Sequence, residues 1–89
     1  MVTRYTVKKL EMDCIGLNAS LDKFGAKYRL VVGQSYNRTQ IDLATPEQMK
    51  RHCCYAQLVS GTPRECRDAA ALYVLRAFAE YEDRTAVAR

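Results

Sequence analysis

The sequence predicts an α+β fold, an antiparallel meander of three to four strands followed by two helices packed on one of its faces, a two-layer sandwich of order ββββαα. Three observations predict it. Polar and apolar residues alternate through much of residues 3–43, the period of a half-buried strand. Thr45-Pro46-Glu47-Gln48 and Thr62-Pro63-Arg64-Glu65 are both helix-start phrases: Thr caps, Pro fits the first helical position, and Gln or Glu three residues on reaches back to the cap. The chain has 89 residues, 48 % of them apolar, which suits one small domain over residues 1–89 with one core.

The first strand is expected over residues 3–10, with Tyr5 and Val7 on one face, and Glu11 to Asp13 as its connection. The second spans residues 14–21, where Ile15, Leu17, Ala19 and Leu21 alternate with Cys14, Gly16, Asn18 and Ser20. Asp22-Lys23-Phe24-Gly25 reads as a hairpin loop, with Gly25 in the left-handed position. The third strand runs from Ala26 to Val32 and carries Ala26, Tyr28, Leu30 and Val32 on one face. After a turn at 33–37, the fourth runs from Arg38 to Leu43 with Thr39, Ile41 and Leu43 inward.

The first helix is expected over about 46–57, with Met49, Cys53 and Ala56 as its stripe and His52 beside it. The second covers about 63–83, with Ala71, Val74, Leu75, Phe78 and Tyr81 as the stripe laid on the sheet, widened by Ala69, Ala70 and Tyr73. Arg64/Asp68 and Arg76/Glu80 are spaced as i,i+4 ion pairs, and the tail from 85 to 89 is expected to fray.

Nothing in this pattern spells out a reaction. Met1-Val2-Thr3-Arg4 leads into a polar segment rather than a secretory signal, and Ala69 to Leu75 is too short to span a bilayer, so the expected compartment is cytoplasmic. The four cysteines, Cys14, Cys53, Cys54 and Cys66, then read as reduced structural thiols. His52-Cys53-Cys54 crowds reactive groups, but adjacent helical residues diverge by about 100°. That divergence argues against a zinc site, which needs ligands converging from one turn, and against a His52–Cys53 catalytic pair. No glycine-rich phosphate loop is present. The bare N–H groups at Gly61-Thr62-Pro63, with Arg64 and Arg67 nearby, read as a helix cap before they read as an anion site. The expectation is a protein without catalytic residues, metal or cofactor.

What remains is surface. The net charge of +4 permits an acidic partner without demanding one. Lys27, Arg29 and Arg38 fall on the polar sheet face, Lys50 and Arg51 on the first helix, and Phe24 and Tyr36 at loop tips, although Phe24 can also fold back over its hairpin. Arg and Tyr anchor protein interfaces, so these seven residues form the candidate partner-binding set. The function expected is that of a non-enzymatic protein-binding module. An inhibitor that occludes a surface of a larger protein or protein–nucleic-acid complex fits, by analogy of type with small phage accessory proteins such as anti-CRISPR inhibitors. The alternative is a small nucleic-acid-binding protein that uses the basic sheet face. No membrane partner is expected, and an open sheet edge would allow a homodimer.

Overall fold

The computed structural model describes residues 4–52 and 55–87. Its first element is a helix, α1 (Val7–Lys23), capped by Thr6, whose hydroxyl accepts the Lys9 N–H at 3.2 Å. Leu10, Cys14, Leu17 and Leu21 stand at i, i+4, i+7 and i+11 and form one helical stripe. Leu10, Cys14 and Leu21 are buried, and Leu17 packs against them. The two strands expected over residues 3–10 and 14–21 are therefore corrected to one helix. Leu17 and Leu21 satisfy both the strand period and the helix period, so alternation alone does not separate the two. Burial does: the helix takes Leu10, Cys14 and Leu21 inside together and leaves Ile15 out, 72 % exposed. The turn after it ends this helix rather than joining two strands. Gly25 has φ +67°, its N–H donates to Asp22 O at 3.1 Å, and the Ala26 N–H reaches Leu21 O at 3.0 Å.

Strands β1 (Arg29–Ser35) and β2 (Arg38–Ala44) form an antiparallel hairpin around Tyr36 and Asn37. The pairing sets Leu30 opposite Leu43 and Val32 opposite Ile41. Thr39 and Ile41 are buried as expected for this strand, while β1 begins and ends three residues later than the expected Ala26–Val32. Helix α2 (Pro46–Arg51) has the full capping box: Thr45 Oγ1 accepts the Gln48 N–H at 3.1 Å, and Gln48 Oε1 accepts the Thr45 N–H at 2.9 Å. It stops well short of residue 57 because His52 turns left-handed, φ 53°, with its N–H on the last carbonyls. Of its expected stripe, Met49 is half-buried, Ala56 belongs to a strand, and Cys53 lies outside the described residues, as does Cys54.

That strand, β3 (Ala56–Gly61), pairs antiparallel with β2 and bulges at Leu58, so Val59 faces Ile41 and Gln57 faces Asp42. The three-stranded antiparallel sheet has the order β1-β2-β3. The chain order is αββαβα, which corrects the expected ββββαα while keeping the α+β class.

Helix α3 (Pro63–Val87) starts from a second capping pair: Thr62 Oγ1 accepts the Glu65 N–H, and Glu65 Oε1 accepts the Thr62 N–H, each at 3.1 Å. Gly61 fits closely beside it: a Cβ there would lie 3.1 Å from the Glu65 carboxylate, so a larger residue would need that side chain to shift by a few tenths of an ångström. The buried residues of α3 are Cys66, Ala70 and Val74, flanked by half-buried Tyr73 and Ala77. The expected stripe is thus rotated: Leu75 is 64 % and Phe78 40 % exposed. Small side chains at 66 and 70 let the helix backbone settle close to the sheet, which larger residues on the expected stripe would prevent. Thr85 Oγ1 donates to Tyr81 O at 3.0 Å, and the helix runs to Val87, past the expected end near residue 83; residues 88 and 89 of the expected tail lie outside the described residues. Helices α1 and α3 share one core with Leu30 and Ile41, so both lie over the same sheet face. At 25 residues α3 is about 37 Å long, whereas strands of six or seven residues reach about 20–23 Å. Its C-terminal part overhangs the sheet.

Candidate interaction surfaces

The structure divides the seven expected surface residues among different places. Tyr36 is fully exposed at the hairpin tip, and Arg38 is exposed next to it. Arg29 shares their sheet face by register but sits at the far end of the hairpin, roughly 20 Å away along the strand. Its guanidinium is already used: it pairs with Asp22 at 3.0 Å and donates to Ala26 O at 2.7 Å and Tyr28 O at 3.0 Å, and the side chain is 14 % exposed. Lys50 and Arg51 are exposed on α2, with Arg51 paired to Glu47 at 3.0 Å. Phe24 folds back, stacking on Tyr81 at 5.4 Å and tilting against Phe78 at 5.2 Å. Lys27 is exposed and lies 5.4 Å over the Tyr28 ring. The basic sheet face is therefore not one continuous patch.

Cys14 and Cys66 are free and buried in the core. Burial pushes the Cys14 thiol up to about 11 and raises Cys66 as well, and Cys66 Sγ contacts Thr39 O at 3.4 Å. Both are held as thiols rather than as nucleophilic thiolates. Among the described residues no group of three His, Cys, Asp or Glu side chains is placed to hold a metal ion. The helix start at Thr62 is filled by Glu65, whose carboxylate is held below the usual range by the hydrogen bonds to Thr62. An external anion would have to displace it. The ion pairs expected for Arg64/Asp68 and Arg76/Glu80 do not appear among the described residues, where Arg67 pairs with Asp68 at 3.4 Å instead.

Two surfaces emerge that residue spacing did not indicate. The first is the outer edge of β1. In this register the backbone groups of Leu30, Val32 and Gln34 point away from β2. Asn18 of α1 takes the first of them completely: its Oδ1 accepts the Leu30 N–H at 2.7 Å and its Nδ2 donates to Leu30 O at 2.9 Å. Beyond that bracket the edge is uncharged from Leu30 to Ser35. A groove of about 290 Å³ runs beside it, walled by Ile15 and Glu11 of α1, Val31 and Val32 of β1, and Met49 of α2.

The second is a concavity of about 410 Å³ under the overhang of α3, closed by the Gly25–Tyr28 loop. Lys27, Arg76 and Arg84 line it with Tyr28 and Tyr73, against one carboxylate, Glu80. Arg84 Nη2 donates to Phe24 O at 3.1 Å and so ties the helix end to the loop. The Tyr73 phenol is held protonated by burial, helped by Tyr28 and Glu80. Residues 27–28 and 73–84 are distant in sequence, so only the path of α3 brings them together.

Comparison of the chain with protein-family models, curated proteins and solved structures found no match. No helix among the described residues is long and apolar enough to cross a membrane.

Proposed function

We propose that this protein is a protein-binding module that captures an extended segment of a larger partner along the edge of β1. The observation that carries this reading is the asymmetric treatment of that edge. Asn18 satisfies the outward backbone groups of Leu30, while those of Val32 and Gln34 have no hydrogen-bond partner among the described residues and lie beside an apolar groove. Natural sheets blunt exposed edges with charge, proline or covering chain, and β1 from Leu30 to Ser35 has neither charge nor proline. An added strand would satisfy Val32 and Gln34, and one of its apolar side chains would enter the groove between Ile15 and Met49. Occlusion of such a segment is how the protein would act as an inhibitor.

The test is affinity capture of the partner from nuclease-treated host lysate at high salt, comparing the native chain with Gln34→Pro and Ile15→Glu. Gln34 offers its N–H outward, so proline there removes an edge donor without breaking the ladder to β2. Loss of the partner with both variants, each still folded by circular dichroism, is the expected result. Retention by both refutes edge capture. A doubling of mass on sedimentation, abolished by the same variants, would make the partner a second copy of this chain.

A further inference from the structure

We propose that the concavity beneath the α3 overhang is a nucleotide-binding site, separate from the β1 edge and independent of the reading above. Its volume of about 410 Å³ falls in the range of small-ligand pockets, roughly 300–1,000 Å³. Lys27, Arg76 and Arg84 converge on it from two parts of the chain, and none of the three forms an ion pair among the described residues. Each of the ion pairs seen in this protein lies elsewhere. The three are exposed, and with Glu80 as the one carboxylate in the lining they leave the hollow net positive, which favours an anion there.

The rest of the lining narrows the class of anion. Tyr28 and Tyr73 supply aromatic faces and phenolic O–H donors, and Lys27 already lies over the Tyr28 ring, 5.4 Å from its centre. An aromatic base would stack on the face of Tyr28 that Lys27 leaves open, while the phosphate it carries would be met by Arg76 and Lys27. Gly25 adds no side chain to the rim, and Arg84 holds the loop in place through Phe24 O, so the hollow is preformed. A bare phosphate would use the cations and leave both rings idle. The nucleotide unit has two sources, a free mononucleotide or one residue of a single-stranded nucleic acid.

The experiment is a titration of the native 89-residue chain by fluorescence anisotropy. One arm uses a fluorescent adenosine nucleotide, the other a labelled single-stranded oligonucleotide, both at low and at moderate salt. Lys27→Ala, Arg76→Ala and Tyr28→Ala are run in parallel, each checked by circular dichroism. Lys27 and Arg76 are exposed, so their removal leaves the core intact. Saturable binding that weakens at least tenfold in Lys27→Ala and Arg76→Ala, and in Tyr28→Ala for the nucleotide but not for competing inorganic phosphate, is the result expected. The arm that saturates identifies the source. Absence of binding in both arms at low salt, or binding that Lys27→Ala and Arg76→Ala leave unchanged, overturns the proposal. If Tyr28→Ala costs no affinity, the stacking role fails and with it the nucleotide assignment.

Discussion

Replacing Asn18 with Ala tests the link between helix α1 and the sheet edge directly. Asn18 makes two hydrogen bonds to the Leu30 backbone, at 2.7 and 2.9 Å, from a half-buried position. Each is worth about 1 kcal/mol net once water is free to replace it. Alanine recovers about 0.6 kcal/mol, because Asn is a poor residue for a helix interior. The net destabilisation is about 1.4 kcal/mol. With a urea m-value of about 1–2 kcal/mol/M for a chain of this size, the unfolding midpoint should fall by roughly 1 M. Lys9→Ala, on an exposed position of the same helix, should change stability by no more than about 0.5 kcal/mol. A midpoint for Asn18→Ala equal to or above that of the native chain would refute the bracket. It would also remove the reason for thinking that β1 is covered at Leu30 and open beyond it.

Leu21→Ala should cost ~2–5 kcal/mol in denaturant unfolding, because Leu21 is fully buried, whereas Leu75→Ala should be within about 0.5 kcal/mol of neutral. The reverse order would mean that α3 presents the face expected from its apolar stripe. Glu65 titrates below its ordinary value in the folded chain because Thr62 donates to it. Its stabilising contribution is therefore present above the unfolded value and lost as pH falls through the folded one. Glu65→Gln keeps the capping geometry and should flatten the acid limb of the stability curve below about pH 4.5; an unchanged limb would assign it to other carboxylates. Cys14 and Cys66 should alkylate on the order of a hundredfold more slowly in the native state than in urea, read by peptide mass mapping at pH 8. Rapid native labelling of either would show that the core around them opens.

The two capping phrases were legible because they are local. Thr45 and Thr62 form the hydrogen bonds their spacing implies, whatever packs around them. Strand β2 was legible because one face of a sheet enforces period two, and Thr39 and Ile41 are indeed inside. Residues 7–23 were not, since Leu17 and Leu21 fit a strand stripe and a helix stripe alike. Among the site residues, Lys27 falls in the basic hollow, but Arg76 reads in the sequence only as an ion-pair partner for Glu80, and nothing local singles out Arg84. Arg29 looked free and is spent on Asp22.

By itself the sequence determined where α2 and α3 start, the β2 face pattern and the α+β class, each a consequence of interactions within a few residues. The tertiary structure alone decided that residues 7–23 are helical, because only packing against Leu30 and Ile41 distinguishes the two periods. It also decided which face of α3 is buried, because the sheet admits Cys66 and Ala70 closely and leaves bulkier Leu75 outside. And it decided both candidate surfaces, since an open edge and an overhang are relations between elements far apart in the chain.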